Sequence, residues 1–289
     1  MNELVNTLNG LVWSPALIYL CLGVGLYFSL RGRFLQVRHF KEMIRLMFTG
    51  RTDEHGITSF QALTMTLAGR VGTGNIAGVA TAITFGGPGA VFWMWMVAFL
   101  GASSAFVEST LGQVYKEKLD GQYRGGPAFY IEKGLGIKWF AWAFAIVTIF
   151  ACGLLLPGVQ ANSIASSVQT AFDVHPNTTA AILAIMLGLI IFGGVKRIAR
   201  FAEFVVPFMA LGYILVACVI VMLNIEKLPE VITLIFKSAF GLDAGFGAIL
   251  GLAIMWGVKR GVYSNEAGQG TGPHASSAAA VSHPAKQGL

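Results

Sequence analysis

Charge is scarce in this sequence. Asp, Glu, Lys and Arg together make up 12% of its 289 residues, against roughly a quarter in soluble domains. That excludes an ordinary soluble enzyme and a disordered chain, because too few charges exist to cover a water-facing surface. Cysteine is nearly absent too. Cys21, Cys152 and Cys218 each lie within an apolar stretch, which excludes a disulfide framework or a cysteine-zinc site and leaves small buried hydrophobes. No HExxH pattern and no nucleophile elbow occurs, so no hydrolase motif points to an enzyme. The net charge of +6 marks no nucleic-acid partner, since the basic residues cluster in short connections between apolar runs. What is abundant is apolar: 55% hydrophobic residues, 36 glycines and a mean hydropathy of +0.68. The chain is expected to be an all-α polytopic membrane protein whose main partner is the lipid bilayer.

A helix crosses the hydrocarbon core with about 20 apolar residues. About seven spans meet that need: 11–30, 57–85, 91–115, 139–170, 179–194, 201–223 and 243–272. Basic residues concentrate in 31–56 (Arg31, Arg33, Arg38, Lys41, Arg45, Arg51), in 116–138 (Lys116, Lys118, Arg124, Lys133, Lys138) and in 194–200 (Lys196, Arg197, Arg200). The positive-inside rule puts these connections in the cytoplasm and the N-terminus outside. The alternation requires 139–170 to cross once, as a long helix kinked at Pro157. Phe40, Met43, Ile44, Met47 and Phe48 follow a helical period, with Arg38, Lys41, Glu42 and Arg45 opposite, which predicts an interfacial amphipathic helix. Trp93, Trp95, Trp139 and Trp142 lie near span ends, as interface anchors do.

Two spans should not be continuous. As one helix, 57–85 would measure about 44 Å, and its middle reads Gly69-Arg70-Val71-Gly72-Thr73-Gly74-Asn75-Ile76-Ala77-Gly78. Irregular backbone at that depth is tolerated only when buried in protein or lining a polar cavity. The last span repeats the anomaly over Gly257–Gly272. A shift of 190 residues superposes Arg70 on Arg260, Asn75 on Asn265, Ala77 on Ala267, Gly78 on Gly268 and Thr81 on Thr271, five identities in twelve positions. The two segments should run in opposite directions, as in inverted repeats that build a midplane substrate site.

An unwound helix offers amides at the start of one half and carbonyls at the end of the other. The half-helix beginning near Asn75 suits a carboxylate, and carbonyls around Gly69 to Gly72 suit a hard cation such as sodium. Candidate substrate ligands are Gly72, Thr73, Gly74, Asn75 and Gln160, with Asn265 from the second break; candidate ion ligands are Gly69 and Gly72. Arg70, Glu108, Arg260 and Glu266 are structural or coupling charges. Glu108 is expected to pair with Arg70 or Arg260, or to carry a proton. Glu266 is expected to meet a substrate ammonium group or to neutralise Lys259 or Arg260.

The stretch Gly86-Gly87-Pro88-Gly89-Ala90-Val91-Phe92-Trp93-Met94-Trp95-Met96-Val97-Ala98-Phe99-Leu100-Gly101 is similar to the signature of the sodium:alanine (alanine or glycine:cation) symporters. Gly72–Gly78 and Ser264–Gly268 resemble that family's broken-helix motifs. The resemblance implies a leucine-transporter-type fold with an additional N-terminal helix in the plasma (bacterial inner) membrane. It also implies sodium as coupling ion with no other cofactor, and import of alanine, glycine or a similar small neutral amino acid. Thr73, Gly74, Asn75 and Gln160 would surround the substrate. Family members are longer, so the expectation is an N-terminal portion. It would hold an N-terminal unit (1–56), a complete first repeat (57–224), an external connection (225–242) and the first broken helix of a second repeat (243–289). The alternatives are a proton-coupled permease using Glu108 and a membrane module that does not transport.

Overall fold

The computed structural model describes residues 2–48, 55–241 and 247–289, and most of them are helical. α1 (Asn2–Val12) and α2 (Pro15–Arg31) meet at Trp13-Ser14. Pro15 there supplies a pre-set φ and removes one amide that would lack a partner. α3 (Leu35–Arg38) leads into α4 (Phe40–Phe48), whose Phe40, Ile44 and Phe48 form an exposed apolar row, as the amphipathic pattern predicts. Arg51 of the first basic connection and residues 243–246 of the last span lie outside the described residues.

α5 (Ser59–Arg70) opens with a reciprocal cap. Thr58 Oγ1 accepts from the Gln61 amide at 3.0 Å, and Gln61 Oε1 accepts from the Thr58 amide at 3.1 Å, a capping box. After a two-residue interruption comes α6 (Thr73–Gly86), then a turn at Gly87, φ +73°, into α7 (Gly89–Val114). The connection that follows departs from the all-α expectation. β1 (Glu117–Leu119) and β2 (Gln122–Arg124) form an antiparallel hairpin across Asp120 (φ +50°) and Gly121 (φ +74°). An Asp-Gly pair with both φ positive is the favoured two-residue hairpin turn, a signal the span analysis passed over.

α8 (Pro127–Tyr130) and a π turn lead to α9 (Lys138–Phe150), a second π turn (Ala151–Leu155) and α10 (Leu156–Phe172). Lys138–Phe172 is one rod of 35 residues, about 52 Å long, long enough to cross a bilayer in a single tilted pass. Pro157 has no amide to give the Gly153 carbonyl, and the helix widens into the π turn just before it. α11 (Pro176–Ile191) starts three residues earlier than expected, with Pro176 in its first turn, and is short for a span. α12 (Gly194–Leu223) starts earlier than the expected 201–223 as well. Lys196, Arg197 and Arg200 therefore stand on its first turns rather than in a loop, and Arg197 Nη1 donates to the Leu189 carbonyl at 2.8 Å. α13 (Leu228–Phe240), α14 (Gly247–Asn265), α15 (Gly272–Ser277) and α16 (Pro284–Gly288) complete the order.

Among the described residues, four helices, Thr7–Arg31, Gly89–Val114, Lys138–Phe172 and Gly194–Leu223, are long and apolar enough to cross a membrane by length and composition. Their large apolar side chains stay exposed along much of the rods, for example Trp139 (74%), Ile149 (68%) and Leu215 (64%). Such continuous apolar surface fits lipid contact. The chain is a multi-pass integral membrane protein.

α7 is the hub of the packing: α2, α13, α14 and α15 all lie on it. Small residues permit the close approach. A Cβ on Gly257 would stand 2.5 Å from Trp93 Cβ, and one on Gly261 would collide with Val97. Trp93, expected as an interface anchor, instead donates its indole N–H to the Ala239 carbonyl at 3.2 Å and ties α13 to α7.

The two interrupted helices lie side by side and antiparallel. At one end an isolated parallel bridge joins the segments just outside the helices: the Ile57 amide donates to Ala278 O at 3.0 Å, and the Ala280 amide to Ile57 O at 2.9 Å. Further along, Gly69 meets the Glu266 carboxylate, Gly74 meets Tyr263 and Ser264, and Gly86 meets Trp256 and Leu252. Rising residue numbers on one helix face falling numbers on the other from end to end.

Candidate functional site

The first interruption lies at Val71-Gly72. The helical ladder stops where the Val71 amide donates to Leu67 O at 2.8 Å. The next two amides go to side chains: Gly72 N–H to Asn75 Oδ1 at 3.4 Å, and Thr73 N–H to Gln160 Oε1 at 3.2 Å. The carbonyls of Ala68 and Gly69 consequently lose the helical donors they would have had. Gly74 stands in the first turn of α6, and a Cβ there would come within 3.1 Å of Ser264 Cα, so the close crossing of the two broken helices needs glycine. Thr73 Oγ1 is buried without a partner.

The second interruption differs in place and in chemistry. α14 runs unbroken through Asn265, and the chain unwinds over Glu266–Thr271. The 190-residue register does not hold for the breaks themselves: it sends Val71-Gly72 to Gly261-Val262, which are helical. Gly257 and Gly261 are packing positions against α7, whereas Gly268 (φ +82°) and Gly270 (φ +83°) supply the left-handed backbone. The amides of this break are already engaged. Ala267 N–H donates to Asn265 Oδ1 (2.9 Å), Gly268 N–H to Glu108 Oε1 (3.2 Å) and Gly270 N–H to Glu108 Oε2 (3.0 Å). Gln269 Nε2 donates to Val262 O at 2.9 Å and caps the end of α14.

A cavity of about 820 Å3 reaches the first break. Its walls are α5 (Thr66, Gly69, Arg70), Gly74, the kinked segment from Thr148 to Gln160, and Tyr263, Glu266, Thr271 and His274. Among the expected site residues, Gly69, Arg70, Gly74, Gln160 and Glu266 line it. Gly72 and Thr73 sit directly behind Gln160. Asn75 is turned to cap Gly72, and its carbonyl lies 3.5 Å from the Tyr213 hydroxyl. Asn265 does not line the cavity; it faces α7 beside Gly101. Thr66, Tyr263 and Thr271 are cavity residues that sequence reasoning missed. Thr66 precedes Arg70 by four residues and Tyr263 precedes Glu266 by three, so helical spacing from the charged positions would have found both.

The charges also sort differently from expectation. Arg70, Glu108 and Glu266 act on one another electrostatically, although no ion pair within 4 Å joins them among the described residues. Gly272 separates Arg70 from Glu108, since a Cβ there would stand 3.3 Å from Arg70 Nη2 and 3.8 Å from Glu108 Oε1. Glu266 accepts the Thr271 hydroxyl at 2.7 Å and does not neutralise Lys259 or Arg260, which lie two helical turns away along α14. Lys259 and Arg260 instead stand over the Trp256 ring, at 5.0 and 5.4 Å, an aromatic contact suited to cations. Glu108 does not meet Arg260.

A family model for the sodium:alanine symporter family matches residues 1–289. The chain is 64% identical over its full length to the putative sodium/proton-dependent alanine carrier protein YrbD of Bacillus subtilis, covering 60% of that protein. It is 48% identical over its full length to the probable sodium/glutamine symporter GlnT of the same organism, covering 61% of it. Over 99% of the chain it is 46% identical to the sodium/alanine symporter AgcS of Methanococcus maripaludis, covering 65% of that protein. The chain thus spans about three fifths of the length of these curated relatives.

Proposed function

The chain belongs to the sodium:alanine symporter family, and from that premise we propose that it imports a small neutral amino acid together with sodium through the cavity at the first break. One observation carries the reading. The first break opens into the cavity with a helix N-terminus at Thr73-Gly74 and released carbonyls at Ala68 and Gly69, whereas the second break has its glycine amides at 268 and 270 taken by Glu108. A zwitterion then meets donors for its carboxylate and acceptors for its ammonium group within one short stretch. The Gly69 and Gly72 carbonyls, with the unpartnered Thr73 hydroxyl, are hard oxygen donors of the kind sodium takes.

On this reading 57–224 is one five-helix repeat and 243–289 opens its inverted counterpart. The N-terminus lies outside, and the cavity opens toward the cytoplasm between α5 and α15. Cys152 lines that opening. With Cys21→Ser and Cys218→Ser in place, a membrane-impermeant thiol reagent should label Cys152 in inside-out vesicles and not in intact cells; the reverse pattern would invert the topology.

Alanine heads the candidate substrates because two of the relatives above are named for it, while GlnT is named for glutamine. Gln160 now holds the Thr73 amide; a substrate carboxylate would take that amide and accept also from Gln160 Nε2, a bond that leucine cannot make. Gln160→Leu should raise the KM for uptake about tenfold, the scale of one charge-assisted hydrogen bond, with a smaller change in Vmax. The test of the function is labelled alanine uptake into proteoliposomes under a sodium gradient, with glutamine as competitor. Uptake driven by a pH gradient without sodium would transfer the coupling to protons. Uptake no greater than in protein-free vesicles would leave a membrane module that does not transport.

A further inference from the structure

Glu108 is 7% exposed and lies on α7, outside the cavity that reaches the first break. Its two oxygens accept two different backbone amides of the second break, from Gly268 and Gly270. Three of the six unwound residues there, Glu266, Gly268 and Gly270, have positive φ. Glu266 is not glycine, so its conformation persists only if the surroundings impose it. One side chain from another helix gathers both glycine amides, as an anion gathers a backbone nest.

We propose that Glu108 is a positioning residue for transport: by holding the Gly268 and Gly270 amides it keeps the second helix unwound and sets where Tyr263, Glu266 and Thr271 stand in the cavity wall. The proposal rests on the reading of that cavity as the transport site. A carboxylate is acceptor-only, with an oxygen for each amide. A protonated carboxyl turns one oxygen into an O–H donor and a weaker acceptor, and a glutamine replaces one oxygen with an NH2 group, so the hold on one amide weakens in the first case and is lost in the second. The hold therefore depends on ionisation. The groups that face Glu108 are Arg70 from α5 and Glu266 from the break, of opposite charge, and Tyr130 from α8, with Cys21 of α2 lining the same space. His274 and Cys152 stand further off, around the first cavity.

Hydrogen–deuterium exchange over residues 266–271 of the purified full chain tests this, over a pH series corrected for intrinsic exchange, with sodium-driven alanine uptake measured in parallel. In the parent protein the Gly268 and Gly270 amides should be protected at neutral pH and lose protection on acidification. In Glu108→Gln exchange at neutral pH should be about tenfold faster, the scale of one charge-assisted bond, with the pH response gone. Glu108→Asp keeps a carboxylate and should keep a pH response, which serves if the glutamine variant does not fold. Parent-like protection in Glu108→Gln, or a pH response that survives in it, overturns the proposal. If the parent protein transports alanine while exchange is indifferent to Glu108, the positioning role alone fails. If exchange behaves as described while no protein transports, the transport reading fails and the hold on the break stands.

Discussion

Replacing Arg70 with glutamine is expected to lower stability by about 1–3 kcal/mol, because the cation acts on two carboxylates held away from water without forming an ion pair with either. Arg70 is the guanidinium that acts on both Glu108 and Glu266. Glu108 is buried, and its two oxygens accept two backbone amides. Removing Arg70 leaves the Glu108 and Glu266 carboxylates without the cation that acts on both. The change should appear as a lower unfolding temperature of the purified protein in detergent and as poor membrane yield. The double variant Arg70→Gln with Glu266→Gln returns the cluster to the net charge of the parent, so it should recover much of the loss. Strictly additive losses would show that the three groups do not act as a unit.

Gly74→Val should abolish uptake while leaving the helices largely formed. Gly74 is where the two broken helices cross, and even a Cβ would come within 3.1 Å of Ser264 Cα and 3.2 Å of the Tyr263 ring. Two further methyl groups on the same carbon add overpacking of about 1–3 kcal/mol, and the helices must part at the point where the cavity ends. Uptake should fall to background with circular dichroism nearly unchanged. Gly74→Ala should lie between the two, because its single methyl asks Tyr263 and Ser264 to move only a few tenths of an ångström. Parent-like uptake by the valine variant would place the substrate away from this crossing.

Much of this arrangement was legible in the sequence, for identifiable reasons. Basic residues on alternate connections asked for 139–170 to be one long helix, and Lys138–Phe172 is a single continuous rod. Gly69–Gly78 announced a weak point in a helix too long for the bilayer, and the chain unwinds at Val71-Gly72. Pro157-Gly158 pointed to Gln160, which reaches Thr73. The second break was misplaced because glycine has two uses that a sequence does not separate. Gly257 and Gly261 admit α7, while Gly268 and Gly270 take positive φ. What fixes the unwinding at Gly268 and Gly270 is Glu108, some 160 residues earlier in the chain, and no local pattern records that partnership. The role of Asn265 was illegible for the same reason: its Oδ1 holds the Ala267 amide, so an apparent counterpart of Asn75 serves its own backbone.

The amino acid should bind where the first helix unwinds, against its antiparallel partner. The most direct measurement is an electron cryomicroscopy map of the protein in lipid with alanine and sodium present. It should show the carboxylate of a bound amino acid on the amides of Thr73 and Gly74, with Gln160 moved off the Thr73 amide and a cation near the Gly69 carbonyl. An unbroken helix through Val71 and Gly72, or alanine seated elsewhere while those amides still hold Gln160, would contradict it.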